Sequence, residues 1–210
     1  MDTIKFQLNA RRQPYGQGAD LSLLNESVGN EVLAFHQKFP DYRVTPLRKL
    51  EFLSQRLGLG SIHIKDEAQR FGLNAFKGLG GSYAMGKYLA ALLERDINTL
   101  SFAELNSPVI KARIKDIVFV TATDGNHGRG VAWAAEQLGL RAVVYMPKGS
   151  SPVRAQNIRR HGAECTITEL NYDDTVRLAA KTAREQGWVL LQDTAWQGYE
   201  QIPTLSLIHI

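Results

Sequence analysis

At 210 residues, with 44% hydrophobic and 22% charged side chains, the chain is long enough to bury a real core and has the composition of a globular protein. Its formal charge of +4 comes from scattered basic residues with no aromatic-interleaved block, so no nucleic-acid partner is expected. No apolar run approaches a spanning helix, residues 1–7 lack a signal-peptide core, and the single cysteine, Cys165, suits a reducing compartment; a cytoplasmic protein without membrane attachment is expected. In chain order, residues 20–39 carry Leu23, Leu24, Val28, Val32, Leu33 and Phe35 at mostly helical spacing. Thr45 and Pro46, followed by Leu47, Leu50, Leu53 and Leu57, predict a capped helix with proline at its first position. A short strand is predicted at 62–65 and a helix from Lys77 onward. Strands at 117–121, 142–146, 165–168 and 188–191 then alternate with helices at 130–138, 153–160 and 174–184. This alternation predicts an α/β fold with βαβ crossovers, parallel sheets and flanking helices. Cys165 falls in an apolar-alternating stretch and reads as a strand residue, while Asp173 and Asp174 read as the start of a helix.

Lys77 stands between Phe76 and the glycine run Gly78, Gly80 and Gly81, where the helical pattern begins. A helix N-terminus carries partial positive charge and disfavours an ammonium, which together with partial burial would push an amine toward its neutral, nucleophilic form. A solvated lysine whose stem covers Phe76 is the alternative reading.

In parallel sheets, ligands bind beyond the carboxyl ends of the strands, and the richest such segment runs from Thr121 through Thr123, Asp124, Gly125, Asn126, His127 and Gly128 to Gly130. Its glycines let the backbone approach a ligand, and the amides opening the next helix suit a phosphate or carboxylate. The alternative is a tight strand-to-helix turn, with Asp124 as a cap. The loop matches neither a Walker nor a dinucleotide pattern. The five histidines, His36, His63, His127, His161 and His209, fall into no ligand spacing, and no metal site is expected.

Read together, Lys65-Asp66-Glu67, the stretch from Arg70 to Lys77, Gly80-Gly81 and the Asp124-Gly125-Asn126-His127-Gly128 loop resemble the tryptophan-synthase-β-like, fold-type-II enzymes that use pyridoxal 5'-phosphate. Within that group they are similar to the diaminopropionate ammonia-lyase family, as are the segments around Asn171 to Arg177 and Gln192 to Tyr199; the similarity runs from about residue 43 to 204. The resemblance implies that Lys77 carries the cofactor and takes the α-proton of an amino-acid substrate from one face. It implies that Asn126 bonds the cofactor's phenolic oxygen, and that backbone amides from Thr123 to His127, with Gly125 among them, hold the substrate carboxylate. Asp124, where many relatives have serine, would serve the opposite face, and Asp193 would lie near the substrate amine. The implied reaction is α,β-elimination from 2,3-diaminopropionate to pyruvate and ammonia by a homodimer. Ala75, in place of a common serine, is a minor departure.

The implied division is 1–79 as part of a larger domain, 80–193 as a smaller α/β domain, and 194–210 as a return to the larger one. Residues 205–210, uncharged and mostly apolar, are expected to be non-native. The family continues for about as much chain again, so an N-terminal half with the C-terminal half missing, its sheet incomplete and its activity lost, is expected. Two rival functions are a threonine or serine dehydratase, and a non-catalytic nucleotide-binding module that uses the 121–130 turn as a phosphate cradle.

Overall fold

The computed structural model describes residues 9–12, 14 and 24–207. The expectations for residues 1–7, for 20–23 of the first helix and for 208–210 lie outside the described residues. The helices are α1 (Glu26–Gln37), α2 (Glu51–Arg56), α3 (Lys77–Leu92), α4 (Phe102–Leu105), α5 (Pro108–Ile114), α6 (Asn126–Leu138), α7 (Pro152–Arg159), α8 (Tyr172–Gln186) and α9 (Gln201–Leu207). The strands are β1 (Leu47–Lys49), β2 (His63–Lys65), β3 (Val118–Ala122), β4 (Arg141–Met146), β5 (Glu164–Ile167) and β6 (Val189–Leu190).

The four later strands form one parallel sheet in the order β5-β4-β3-β6. Its central strand β3 is a continuous apolar run buried along its whole length, as a strand covered on both faces must be. Val118, Val120 and Ala122 meet Ala179 and Ala183 of α8 on one face, while Phe119 joins the larger core that contains α3 and α6 on the other. The chain runs from β3 outward to β4 and β5, then crosses back to place β6 on the other side of β3. That reversal between β3 and β6 is the place where open parallel sheets form a ligand crevice.

Two expectations are corrected here. Thr45 and Pro46 do not start a helix. Residues 47–49 form β1, paired antiparallel with β2 in the register Leu47↔Lys65 and Lys49↔His63, and the helix begins only at Glu51. Leu47, Leu53 and Leu57 are all exposed, so their spacing marks no buried helical face. Thr45 is buried and its hydroxyl donates to Glu67 instead of capping, while the Pro46 carbonyl accepts from the Asp66 amide at 2.9 Å. Backbone pairing with β2 outweighs local propensity here.

The second correction concerns the expected incomplete fold. The sheet has helices on both faces, and α9 packs against α3 with Leu205 and Ser206 buried. Leu205 joins the main core. Missing from the sequence expectation were β1, α4, α5 and α9.

The main core gathers α1, α3 and α6 around stacked rings: Trp133 lies 4.3 Å from Phe71 and 5.7 Å from Phe39, centroid to centroid. His36 of α1 fastens this layer. Its Nδ1 lies 2.8 Å from the Val32 carbonyl, and its Nε2 lies 2.9 Å from the Leu79 carbonyl and 3.1 Å from Ser82 Oγ. Burial drives its pKa from 6.5 to about 4, against the pull of the two carbonyls and with help from Arg70. The folded value lies below the unfolded one, so the unfolded chain binds the proton more readily. Stability is therefore full above about pH 6.5 and falls toward pH 4, by up to about 1.4 kcal/mol per pH unit. Denaturant titrations across this range should show that slope, and His36→Gln should flatten it; an unchanged slope in the variant would place the acid sensitivity elsewhere.

Candidate active site

Lys77 is the first residue of α3, whose N-cap, Phe76, offers no side-chain cap. Its Nζ donates to Asp193 Oδ2 at 2.8 Å; the lysine side chain is 25% exposed and the aspartate 15%, so the pair is shielded yet reachable. The position of Lys77 is set from below by glycine. A Cβ on Gly130 of α6 would lie 2.7 Å from the Lys77 carbonyl oxygen and 2.9 Å from the Gly78 nitrogen, so the two helices cross with backbone almost on backbone.

Asp193 follows β6 and reaches Lys77 because Gln192 diverts the chain. The Gln192 side chain is fully buried, and its Oε1 accepts from the Ala122 amide at 2.9 Å and from Thr121 Oγ1 at 3.0 Å. A side chain thus takes over the bonding to β3 where the strand ends. The backbone amide of Gln192 donates to Tyr199 Oη, which itself donates to the Leu190 carbonyl, both at 2.9 Å. Burial pushes the Tyr199 phenol up to about 12, which keeps it a donor.

His127, in the first turn of α6, is the third member. It is buried, with Nε2 2.8 Å from the Leu191 carbonyl and Nδ1 3.7 Å from Asp193 Oδ2. Burial pulls its pKa down, against Asp193 and the Leu191 carbonyl, and Lys77 adds to the fall. For Asp193, burial alone would raise the carboxyl, but His127 and Lys77 outweigh it and hold it below the usual carboxylate range. Since burial keeps His127 toward neutral, the ammonium at 2.8 Å is the stronger of these two influences.

The glycine loop is shaped by Thr123. Its buried hydroxyl accepts from the amides of Gly125 at 2.9 Å and Gly128 at 3.1 Å, and its own amide donates to the Tyr145 carbonyl. Gly125 has φ +155°, a conformation that other residues rarely adopt. Asn126 opens α6 and is exposed. The structure brings Lys77, His127 and Asp193 together. Asp124 instead lies outside this cluster with its side chain 79% exposed, its charged neighbour being Arg154 at 4.0 Å. Sequence reading took His127 only for its backbone amide and passed over Gln192, Thr123 Oγ1 and Arg154. A cavity of about 640 Å³ is bordered by Val32, His36, Lys65, Arg70 and Phe76, the last next to Lys77 in the chain, but by none of Lys77, His127 and Asp193.

Comparison with known proteins gives consistent matches. The sequence model of the family described as pyridoxal-phosphate dependent enzyme matches residues 38–203. A diaminopropionate ammonia-lyase of Salmonella typhimurium is 76% identical over 203 residues, 97% of this chain and 50% of that protein. The crystal structure of Escherichia coli diaminopropionate ammonia lyase in apo form superposes with a TM-score of 0.83 at 50% identity, over 90% of this chain and 50% of that one. An L-threonine dehydratase of Salmonella typhimurium is 32% identical over 166 residues, 77% of this chain and 28% of that protein. The chain spans about half the length of the curated ammonia-lyases it matches. The expected incomplete fold is corrected: the family match and the α/β fold shared with the ammonia lyase structure run along most of this chain. With a shielded lysine at the β3/β6 crevice, an asparagine-bearing glycine loop opposite, and a family match over most of its length, the chain belongs to the family of pyridoxal-phosphate-dependent enzymes.

Proposed function

We propose that this chain carries the reacting lysine and acid–base groups of an ammonia-lyase that eliminates ammonia from 2,3-diaminopropionate. The observation that carries this reading is the Lys77–Asp193 pair at the crevice between β3 and β6. The residues present fit pyridoxal phosphate. Lys77 offers a primary amine, and the glycine loop brings the opening of α6 close to it, with Gly130 on the Lys77 carbonyl. Lys77 would hold the cofactor through Nζ, with Asn126 at its phenolic oxygen. When bound, the cofactor supplies an electron sink for the negative charge left at the substrate Cα.

The chain's own groups do the rest. The Thr123 amide is spent on Tyr145 and that of Gly125 on Thr123 Oγ1, so the substrate carboxylate falls to the amides of Asp124, Asn126 and His127. Asp193 receives the substrate's ammonium. Lys77 takes the α-proton from one face and Asp124 from the other. The Arg154 contact of Asp124 is long and exposed, and a pair of that kind is weak enough to yield to a substrate. Loss of the β-amino group and hydrolysis then give pyruvate and two ammonia molecules.

We also assign 80–193 to a smaller domain flanked by parts of a larger one, and a cytoplasmic homodimer as the working form. The exposed Val44, Leu47, Phe52 and Leu57 near α2 support burial in an assembly. Among the described residues, no helix is long and apolar enough to cross a membrane.

Asp124→Asn is expected to suppress turnover of one diaminopropionate enantiomer about 10²–10⁴-fold more than the other, because each base on a planar carbanion serves one configuration. Pyruvate release from the separate enantiomers measures this. Equal losses would make Asp124 a positioning group, and keto-acid release from threonine or serine instead of diaminopropionate would favour the dehydratase.

A further inference from the structure

Of the three side chains that meet where β3 and β6 end, the reaction above uses only Lys77 and Asp193. The third is His127. The Leu191 carbonyl can only accept, so His127 Nε2, at 2.8 Å, carries the ring hydrogen and Nδ1 of the neutral ring carries a lone pair. That lone pair lies 3.7 Å from Asp193 Oδ2, the same oxygen that accepts from Lys77 Nζ at 2.8 Å. A lone pair facing a carboxylate oxygen makes no hydrogen bond, and 3.7 Å is too long for one; the two groups bond only when a proton lies between them and they close by a few tenths of an ångström. A source is adjacent, since Lys77 must lose an ammonium proton to act as a nucleophile.

The geometry points to His127 as the proton holder of Lys77: when Lys77 becomes a free amine, its proton passes by way of Asp193 Oδ2 to His127 Nδ1. One N–H bond breaks at Nζ and one forms at Nδ1. Asp193 stays ionised, and the three groups carry the same summed charge before and after. The transfer answers a cost, because neutralising Lys77 alone would leave a carboxylate of 15% exposure without its cation. The charged groups facing His127 are Asp193, which favours its protonation, and Lys77, which opposes it. Burial is the larger influence against the proton and remains; neutralising Lys77 removes the opposing charge, so His127 accepts more readily when the proton is released. The inference rests on Lys77 being the reacting amine. His127 acts through Asp193 and is a positioning residue.

Two measurements on the full, cofactor-free chain test it. Ring ¹⁵N NMR should show His127 protonated at Nε2, with a titration midpoint that rises in Lys77→Met; an Nδ1–H tautomer or an unmoved midpoint overturns the proposal. The labelling rate of Lys77 by trinitrobenzenesulfonate, followed by peptide mass spectrometry, should fall about 10²-fold at neutral pH in His127→Gln, the low end for a positioned proton acceptor. The loss should vanish near about pH 10, where hydroxide takes the proton. Equal slowing at both pH values would give His127 a purely structural part and overturn the relay. If His127→Gln does not melt cooperatively, the Lys77→Met titration decides alone. Neither measurement uses cofactor or substrate, so their failure is distinct from failure of the ammonia-lyase reading, which the pyruvate assay decides.

Discussion

Lys77→Ala is expected to abolish fixation of pyridoxyl to this chain by borohydride and, with it, all turnover. Only one lysine among the described residues combines partial shielding, a helix start and a carboxylate partner at the β3/β6 crevice. Its neighbours in the folded chain are engaged elsewhere: Lys65 Nζ donates to the Thr45 carbonyl, and Lys87 pairs with Glu31 at 3.1 Å. Reduction in the presence of cofactor followed by peptide mapping should place the label on the wild-type peptide that contains Lys77. Label on Lys65 or Lys87 would sink the assignment. The variant should also be less stable, because it leaves Asp193 shielded and without its ammonium. Breaking a fully buried pair costs about 3–5 kcal/mol, and the partial exposure of this one reduces the expected loss to roughly 1–3 kcal/mol.

Gly130→Ala should damage the site without touching any group that reacts. The added Cβ would approach the Lys77 carbonyl oxygen to 2.7 Å, its carbon to 2.8 Å and the Gly78 nitrogen to 2.9 Å, all backbone atoms of α3 that cannot rotate away. Alanine favours a helix over glycine by about 1 kcal/mol, but overpacking costs about 1–3 kcal/mol, and relief requires α3 and α6 to separate. Any such movement carries Lys77 away from Asp193 and His127. A displacement of about 1 Å in a reacting group can cost about 10²-fold in rate. A lower melting temperature together with slower Lys77 labelling is the expected result. Gly149→Ala is the control: its Cβ meets nothing within 4 Å, and with φ +83° it should show only backbone strain. Full labelling and an unchanged melt in Gly130→Ala would mean that the helix crossing does not set the lysine.

Much of this arrangement is legible in the chain itself. Apolar or apolar-alternating runs locate β3, β4, β5 and β6 to within about two residues, and β3 is the clearest, because a strand covered on both faces has few polar positions to spare. The glycine run after Lys77 marks where α3 begins, since close helix packing leaves no room for side chains. Capping signals for the short helices were present as well: Ser101 and Glu104 form a reciprocal cap, and Ser107 precedes Pro108. What local sequence cannot determine is which distant groups come together. The leucines after Pro46 carry helical spacing, yet pairing with residues 63–65 makes the first of them a strand. Lys77 and Asp193 are separated by 116 positions, and nothing near either one specifies the other. Their meeting depends on β6 crossing back beside β3, on Gln192 taking over the Ala122 amide, and on Gly130 admitting α6 to the backbone of Lys77. The residue types that can do the chemistry are written in the sequence. Their distances, their burial and the proton partner of the lysine arise only when the sheet order and the helix crossing bring them within reach.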